Sequence, residues 1–175
     1  MLTILLVLFT VSAIVFLIGA LRQPNEFCIT RTATFDAPAS AIFPHINTLA
    51  NWDAWSPWAK LDPNAQNTFE GPASGIGAKM GWAGNNKVGV GSMTIIDSRP
   101  DEYIQFKLDF EKPFKAKNLS EFTLKTENDG TTVTWSMSGK NNFMAKAMGL
   151  FVNYDQMVGG QFEEGLENLQ GLVES

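Results

Sequence analysis

A chain of 175 residues, 45% hydrophobic and 18% charged, has the apolar content for one globular domain with an appendage but not for two full domains. Its net charge of −5 and isoelectric point near 4.8, with no block of Lys or Arg, argue against the basic stripe that nucleic-acid binding requires. One cysteine, Cys28, excludes an intramolecular disulfide, and one histidine, His45, leaves no cysteine-rich or multi-histidine metal site, so no metal or cofactor is expected.

Met1 to Leu21 carry no charged side chain and read MLTILLVLFTVSAIVFLIGAL before Arg22 and Pro24 end the run. As a helix this stretch is about 30 Å long, the thickness of a bilayer's hydrocarbon core. A cleaved signal peptide shows a basic start, a shorter apolar core and a small-x-small cleavage site at its end. Here no Lys or Arg precedes the run, and Val11-Ser12-Ala13 falls in its middle. The expectation is therefore a single transmembrane anchor over residues 1–21, a linker over 22–26 and a folded domain over 27–175. Arg22 and Arg31 follow the apolar run, which by the positive-inside tendency places that domain in the cytoplasm.

Phe27–Phe35 is rich in Thr, Ile and Phe and predicts a first strand ending at Asp36-Ala37-Pro38. A short helix follows, with Ala41, Ile42, His45, Ile46 and Leu49 near helical spacing and Pro44 read as falling in or near the first turn. Next comes Asn51-Trp52-Asp53-Ala54-Trp55-Ser56-Pro57-Trp58, which holds three of the five tryptophans. Each indole carries a large apolar area and an N–H that needs a partner, so the segment predicts an aromatic wall with polar anchoring points, most of it scaffold.

Thr68–Glu70, Gly77–Ala83, Lys87–Ser98, Glu102–Phe110, Lys115–Thr126 and Thr131–Ser138 then read as an antiparallel sheet joined by hairpins. The clearest turn is Asn128-Asp129-Gly130. Ile104, Phe106, Leu108 and Phe110 alternate with Tyr103, Gln105, Lys107 and Asp109, which makes one face apolar and the other polar. Gly89 and Gly91 inside the third run predict a bulge or sharp bend and hence a curved sheet. From Asn142 to about Val173 the period changes to 3.6: Met144, Met148, Phe151, Tyr154 or Asp155, Val158, Phe162, Leu166 and Leu169 fall on one stripe. One long amphipathic helix is predicted, lying across the apolar face of the sheet.

This order, with Ile29–Phe35 followed by Asp36-Ala37-Pro38-Ala39 and Ala41-Ile42-Phe43, resembles the SRPBCC superfamily (START-like; polyketide cyclase/dehydrase and lipid transport) over roughly Phe27 to Glu174. The resemblance extends to its small membrane-anchored, polyketide-cyclase-like branch through Trp-x-x-Trp-x-Pro-Trp at Trp52–Trp58, Gly-x-Gly at Gly75–Gly77 and Trp-x-Gly-Asn at Trp82–Asn85. Gly-Ser-Met-x-Ile at Gly91–Ile95 and the Gly165–Leu169 segment add to it. It implies an α+β helix-grip fold, a curved antiparallel sheet wrapped around a long C-terminal helix, with an apolar cavity between them for a lipid, polyketide or other hydrophobic molecule. It does not imply one reaction.

No catalytic residue emerges from the residues themselves. His45 stands alone, Asp109 and Glu111 fall on the polar face, and there is no nucleophile elbow or phosphate loop; Gly75-Ile76-Gly77 lacks the following glycine. A hydrophobic cavity needs large apolar walls and a few polar groups, and Trp82, Phe106, Trp135, Phe151 and Tyr154 are the ligand-binding candidates, with core packing as the alternative for each. Met137, Met144 and Met148 supply adaptable surface. The expected function is a membrane-anchored binder of a hydrophobic small molecule or lipid. A cyclase- or dehydratase-like enzyme and a structural or partner-binding membrane protein are the alternatives.

Overall fold

The computed structural model describes residues 1–127 and 130–175; the predicted turn at Asn128-Asp129-Gly130 therefore lies largely outside the described residues. The apolar run forms α1 (Leu2–Arg22), a helix long and apolar enough to cross a membrane. Along it only Ala20 is buried. Gln23-Pro24-Asn25 leads into β1 (Glu26–Phe35), then α2 (Ala39–Asn47), a 3₁₀ turn (Leu49–Ala54) and the short α3 (Pro57–Leu61). Six further strands follow: β2 (Gln66–Glu70), β3 (Lys79–Ala83), β4 (Val90–Arg99), β5 (Tyr103–Lys112), β6 (Ala116–Glu127) and β7 (Gly130–Lys140).

The seven strands form one antiparallel sheet in the order β1-β7-β6-β5-β4-β3-β2. Register shifts interrupt the β4–β5 ladder at Val90/Gly91 and Ile95/Asp97, the first at the glycines expected to bend the sheet. Alternation places Ile104 and Phe106 of β5, Phe122 and Leu124 of β6 and Val133 and Trp135 of β7 on the buried inner face.

The tryptophan segment fills that face. Trp52 and Trp55 are buried and Trp58 half-buried. Their indole N–H groups have a definite use: Trp52 Nε1 donates to the carbonyl of Ile46 at 2.9 Å and Trp55 Nε1 to that of His45 at 3.1 Å. Both carbonyls belong to the last turn of α2, which cannot satisfy them within the helix. Pro44 sits well inside α2, not in its first turn as expected, and the helix ends three residues later. Pro57 occupies the first position of α3, where a missing N–H costs nothing.

The single C-terminal helix predicted from Asn142 is two helices: α4 (Phe143–Met148) and α5 (Tyr154–Val173). The stripe is real, but two asparagines cut it. Asn142 Oδ1 accepts from the Ala145 N–H at 2.9 Å and Asn153 Oδ1 from the Gln156 N–H at 3.1 Å, each starting its own helix. Phe162, Leu166 and Leu169 of α5 are buried against the sheet. Gly165 permits this approach, since a Cβ there would stand 2.8 Å from the Trp135 ring.

Candidate functional site

The inner face of the sheet divides into a solid half and a hollow end. In the solid half, Trp135 is stacked between Phe122 (centroids 4.7 Å apart) and Phe162 (4.1 Å), while Trp52 packs on Trp55 at 4.6 Å and edge-on to Phe106 at 5.4 Å. The Trp135 N–H donates to Ser120 Oγ at 2.9 Å, which gives the one polar atom of this ring a buried partner. These rings leave no room between sheet and helix.

Beyond them, where β1, β7 and the start of β6 meet α4 and the first turn of α5, lies a cavity of about 260 Å³. Phe27 and Ile29 of β1 and Met137 of β7 form its floor, Met144, Ala145 and Met148 of α4 one wall, and Tyr154, Met157 and Val158 of α5 another. Phe114, Lys115 and Ala116 close it from the β5–β6 hairpin. Four methionines thus surround one space, and flexible, polarizable side chains of this kind conform to irregular apolar shapes. Polar groups are few: the Tyr154 hydroxyl, Asn118, Asn141 and Asn142, with Lys115 and Lys140 at the edge. Burial raises the pKa of Tyr154 above that of a free phenol, so the group stays a neutral donor and acceptor across the physiological range.

The position of the α5 wall is set by Arg31. On β1 the inward residues are Phe27, Ile29, Arg31, Ala33 and Phe35, so the guanidinium is a charge in an apolar row. It is met by two carboxylates on α5, Asp155 and Glu163, with Gly159 between them at four-residue spacing. Arg31 Nη2 donates to Asp155 Oδ2 and to the Asp155 carbonyl, each at 3.0 Å, and Nε donates to Glu163 Oε1. The hydrogen bond from Arg31 holds the Asp155 carboxyl below the usual aspartate range. This fork fastens the first three turns of α5 to the sheet and so fixes where Tyr154, Met157 and Val158 stand.

Of the ligand candidates, Tyr154 lines the cavity, as do Met137, Met144 and Met148. Phe106 and Trp135 belong to the solid aromatic core. Trp82 is half-buried, lies over Gly91 and packs edge-on to Phe110 at 5.7 Å, outside the cavity wall. Phe151 is not on a helix stripe covering the sheet. It falls in the α4–α5 connector, 79% exposed, and stacks on Phe16 of α1 with centroids 6.3 Å apart. Phe27, Ile29, Phe114 and Met157 were not singled out in the sequence; Phe27 and Ile29 share one face of β1, but nothing local marked that face as hollow.

His45 does not line the cavity, and Asp109 pairs with Lys107 at 2.8 Å on the outer face of the sheet. Among the described residues no group of three or more His, Cys, Asp or Glu is placed to hold a metal ion. The cavity lining contains no carboxylate and no imidazole.

The fold is shared with solved structures of low sequence identity. Protein CV1439 from Chromobacterium violaceum superposes with a TM-score of 0.61 at 14% identity, over 87% of this chain and 99% of that one. Mll3558 from Rhizobium loti gives 0.62 at 17% identity, over 83% and 96%. Ms6760 from Mycobacterium smegmatis gives 0.58 at 18%, over 84% and 90%. No curated protein matches the chain. The match that extends through sheet, cavity and both C-terminal helices is to a family model covering residues 26–174, and by it the chain belongs to the polyketide cyclase / dehydrase and lipid transport family.

Proposed function

We propose that the protein is a membrane-anchored binder of a small hydrophobic molecule, of the size of a single acyl chain, held in the cavity between β1, β7, α4 and α5. The observation that carries this reading is the methionine-walled cavity of about 260 Å³ with one half-buried phenol, set at the end of the domain from which α1 departs. Drug-sized ligands occupy pockets of roughly 300–1,000 Å³. A cavity just below that range suits one chain or one small ring system better than a whole bilayer lipid or a multi-ring polyketide. Family membership supports a hydrophobic ligand and leaves a cyclase-like role open. Anchoring rests on α1, and Arg22 at its end favours a domain on the cytoplasmic side. A tether of this kind keeps the cavity at high effective concentration beside its source of ligand.

Native mass spectrometry of the full chain, extracted from expressing cells in detergent, tests the reading. The wild type is expected to carry a bound hydrophobic mass, and Ala145→Trp, which fills the cavity from α4, to lose it. An empty wild type that also fails to take up an environment-sensitive fluorescent fatty acid would overturn the proposal.

A further inference from the structure

α1 does not stand clear of the domain. Gly19 faces the Leu150 side chain, so close that an added Cβ would touch both its methyl groups at 3.5 Å. Ala20 of α1 and Ala147 of α4 are both buried, and one turn earlier Phe16 stacks on Phe151. Small residues at the crossing let the two helices approach. The α4–α5 connector is therefore fixed at a definite height along α1. At about 1.5 Å per residue, Phe16 lies about 9 Å along the helix from Arg22, inside the stretch that would be hydrocarbon-embedded.

The surface at that height is apolar. Phe143, Met144, Leu150 and Phe151 are all exposed, and Phe114 and Met157 continue the patch to the lip of the cavity. Isolated exposed apolar residues need no explanation, but a contiguous patch does. The single charge of α4, Lys146, is turned to Asn25 at the foot of α1, and Lys115 and Lys140 stand on the rim, where headgroup phosphates would lie.

We propose that Phe143–Phe151 is embedded in the headgroup–acyl boundary of the bilayer beside α1, so that the cavity opens onto lipid and takes its ligand without passage through water. The occupant of the patch is the bilayer itself, because α1 carries the patch to that depth. The proposal rests on the reading of α1 as a membrane anchor.

The test uses the full chain with Cys28→Ser, reconstituted in phosphatidylcholine vesicles containing a minority of phosphatidylglycerol and spin-labelled at one of three exposed sites: Ile14→Cys in α1, Phe151→Cys in the connector or Ile96→Cys on the outer face of β4. Collision rates with oxygen, which partitions into lipid, and with a water-soluble nickel chelate locate each label. Labels at positions 14 and 151 are expected to meet oxygen and be shielded from nickel, and the label at 96 to show the reverse. A lipid-exposed label at 14 with a nickel-accessible label at 151 would overturn the docking while leaving the anchor intact. A nickel-accessible label at 14 would overturn the anchor reading and the docking together. Phe151 lies at the surface, so its replacement leaves the core untouched, and far-ultraviolet circular dichroism checks the fold of each variant.

Discussion

The guanidinium of Arg31 occupies the space in which a side chain on Gly159 would begin. The glycine is there because β1 places a charge on its inward face and α5 must lie directly over it, with Asp155 and Glu163 one turn to either side. Helix propensity alone predicts that Gly159→Ala stabilises α5 by about 1 kcal/mol. The geometry predicts the opposite sign, a loss of stability as Arg31 is pushed off its two carboxylates. In an Arg31→Ala background the same substitution should be stabilising. Urea denaturation of the four proteins of this double-mutant cycle decides between the two.

The same fork gives an acid-sensitive contribution to stability. Asp155 titrates below its ordinary range in the folded chain because Arg31 hydrogen-bonds its charged form. The unfolded state therefore binds the proton more readily, so stability rises with pH through this window. The contribution is complete above the ordinary aspartate pKa of about 3.9 and is lost as pH falls through the depressed folded value. Asp155→Asn should flatten the slope of stability against pH below about 4, measured by denaturant melts across the acid range.

Core and cavity separate by mutation. Ser120→Ala leaves the Trp135 N–H buried without its acceptor and should cost about 1–3 kcal/mol, and Trp135→Ala about 3–5 kcal/mol. Because Trp135 is packed between Phe122 and Phe162 and does not line the cavity, neither variant that still folds should alter uptake of a fluorescent fatty acid. Reduced affinity in Ser120→Ala would show that the aromatic core contacts the ligand after all.

The two tyrosines report on different regions. Burial, reinforced by the hydrogen bond to Glu121, pushes the Tyr103 phenol up to about 12, and burial raises Tyr154 as well. Each pKa is raised in the folded state, so each contribution is present below the ordinary value near 10 and declines as pH rises through the folded one. Spectrophotometric titration should find no phenol ionising at its free value. Tyr154→Phe should leave a single step at about 12, and it should weaken fatty-acid binding several-fold through loss of the one hydroxyl in the lining.

The strands were legible because alternation is a local signal: Ile104 and Phe106 are buried where the pattern of β5 put them. The break in the C-terminal helix was not. Met144, Met148 and Phe151 are spaced as a continuous helix would space them, and the competing signal is only a capping asparagine three residues before Gln156. The candidate site was legible in chemistry and less so in place. The sequence points to aromatics as cavity walls, yet rings of this size fill the space between sheet and helix through contacts among β5, β6, β7, the 3₁₀ turn and α5. Which end of the domain stays hollow depends on where those distant elements meet. The charge on Arg31 could have revealed the α5 register, since an inward arginine on β1 requires acidic partners four residues to either side of a gap.

Pairing of β1 with β7 brings together the first and last strands of the sheet: the hydroxyls of Thr32 and Thr134 meet at 3.2 Å across a sequence separation of 102 residues. No hairpin can assemble this ladder early, and closing so long a loop carries an entropic cost before any contact offsets it. During synthesis β1, adjoining α1, therefore exists with its backbone unpaired until β7 has been made. The rate at which this edge closes, and not the stability of the finished sheet, sets how long a newly made chain exposes the strand and its neighbouring cavity floor.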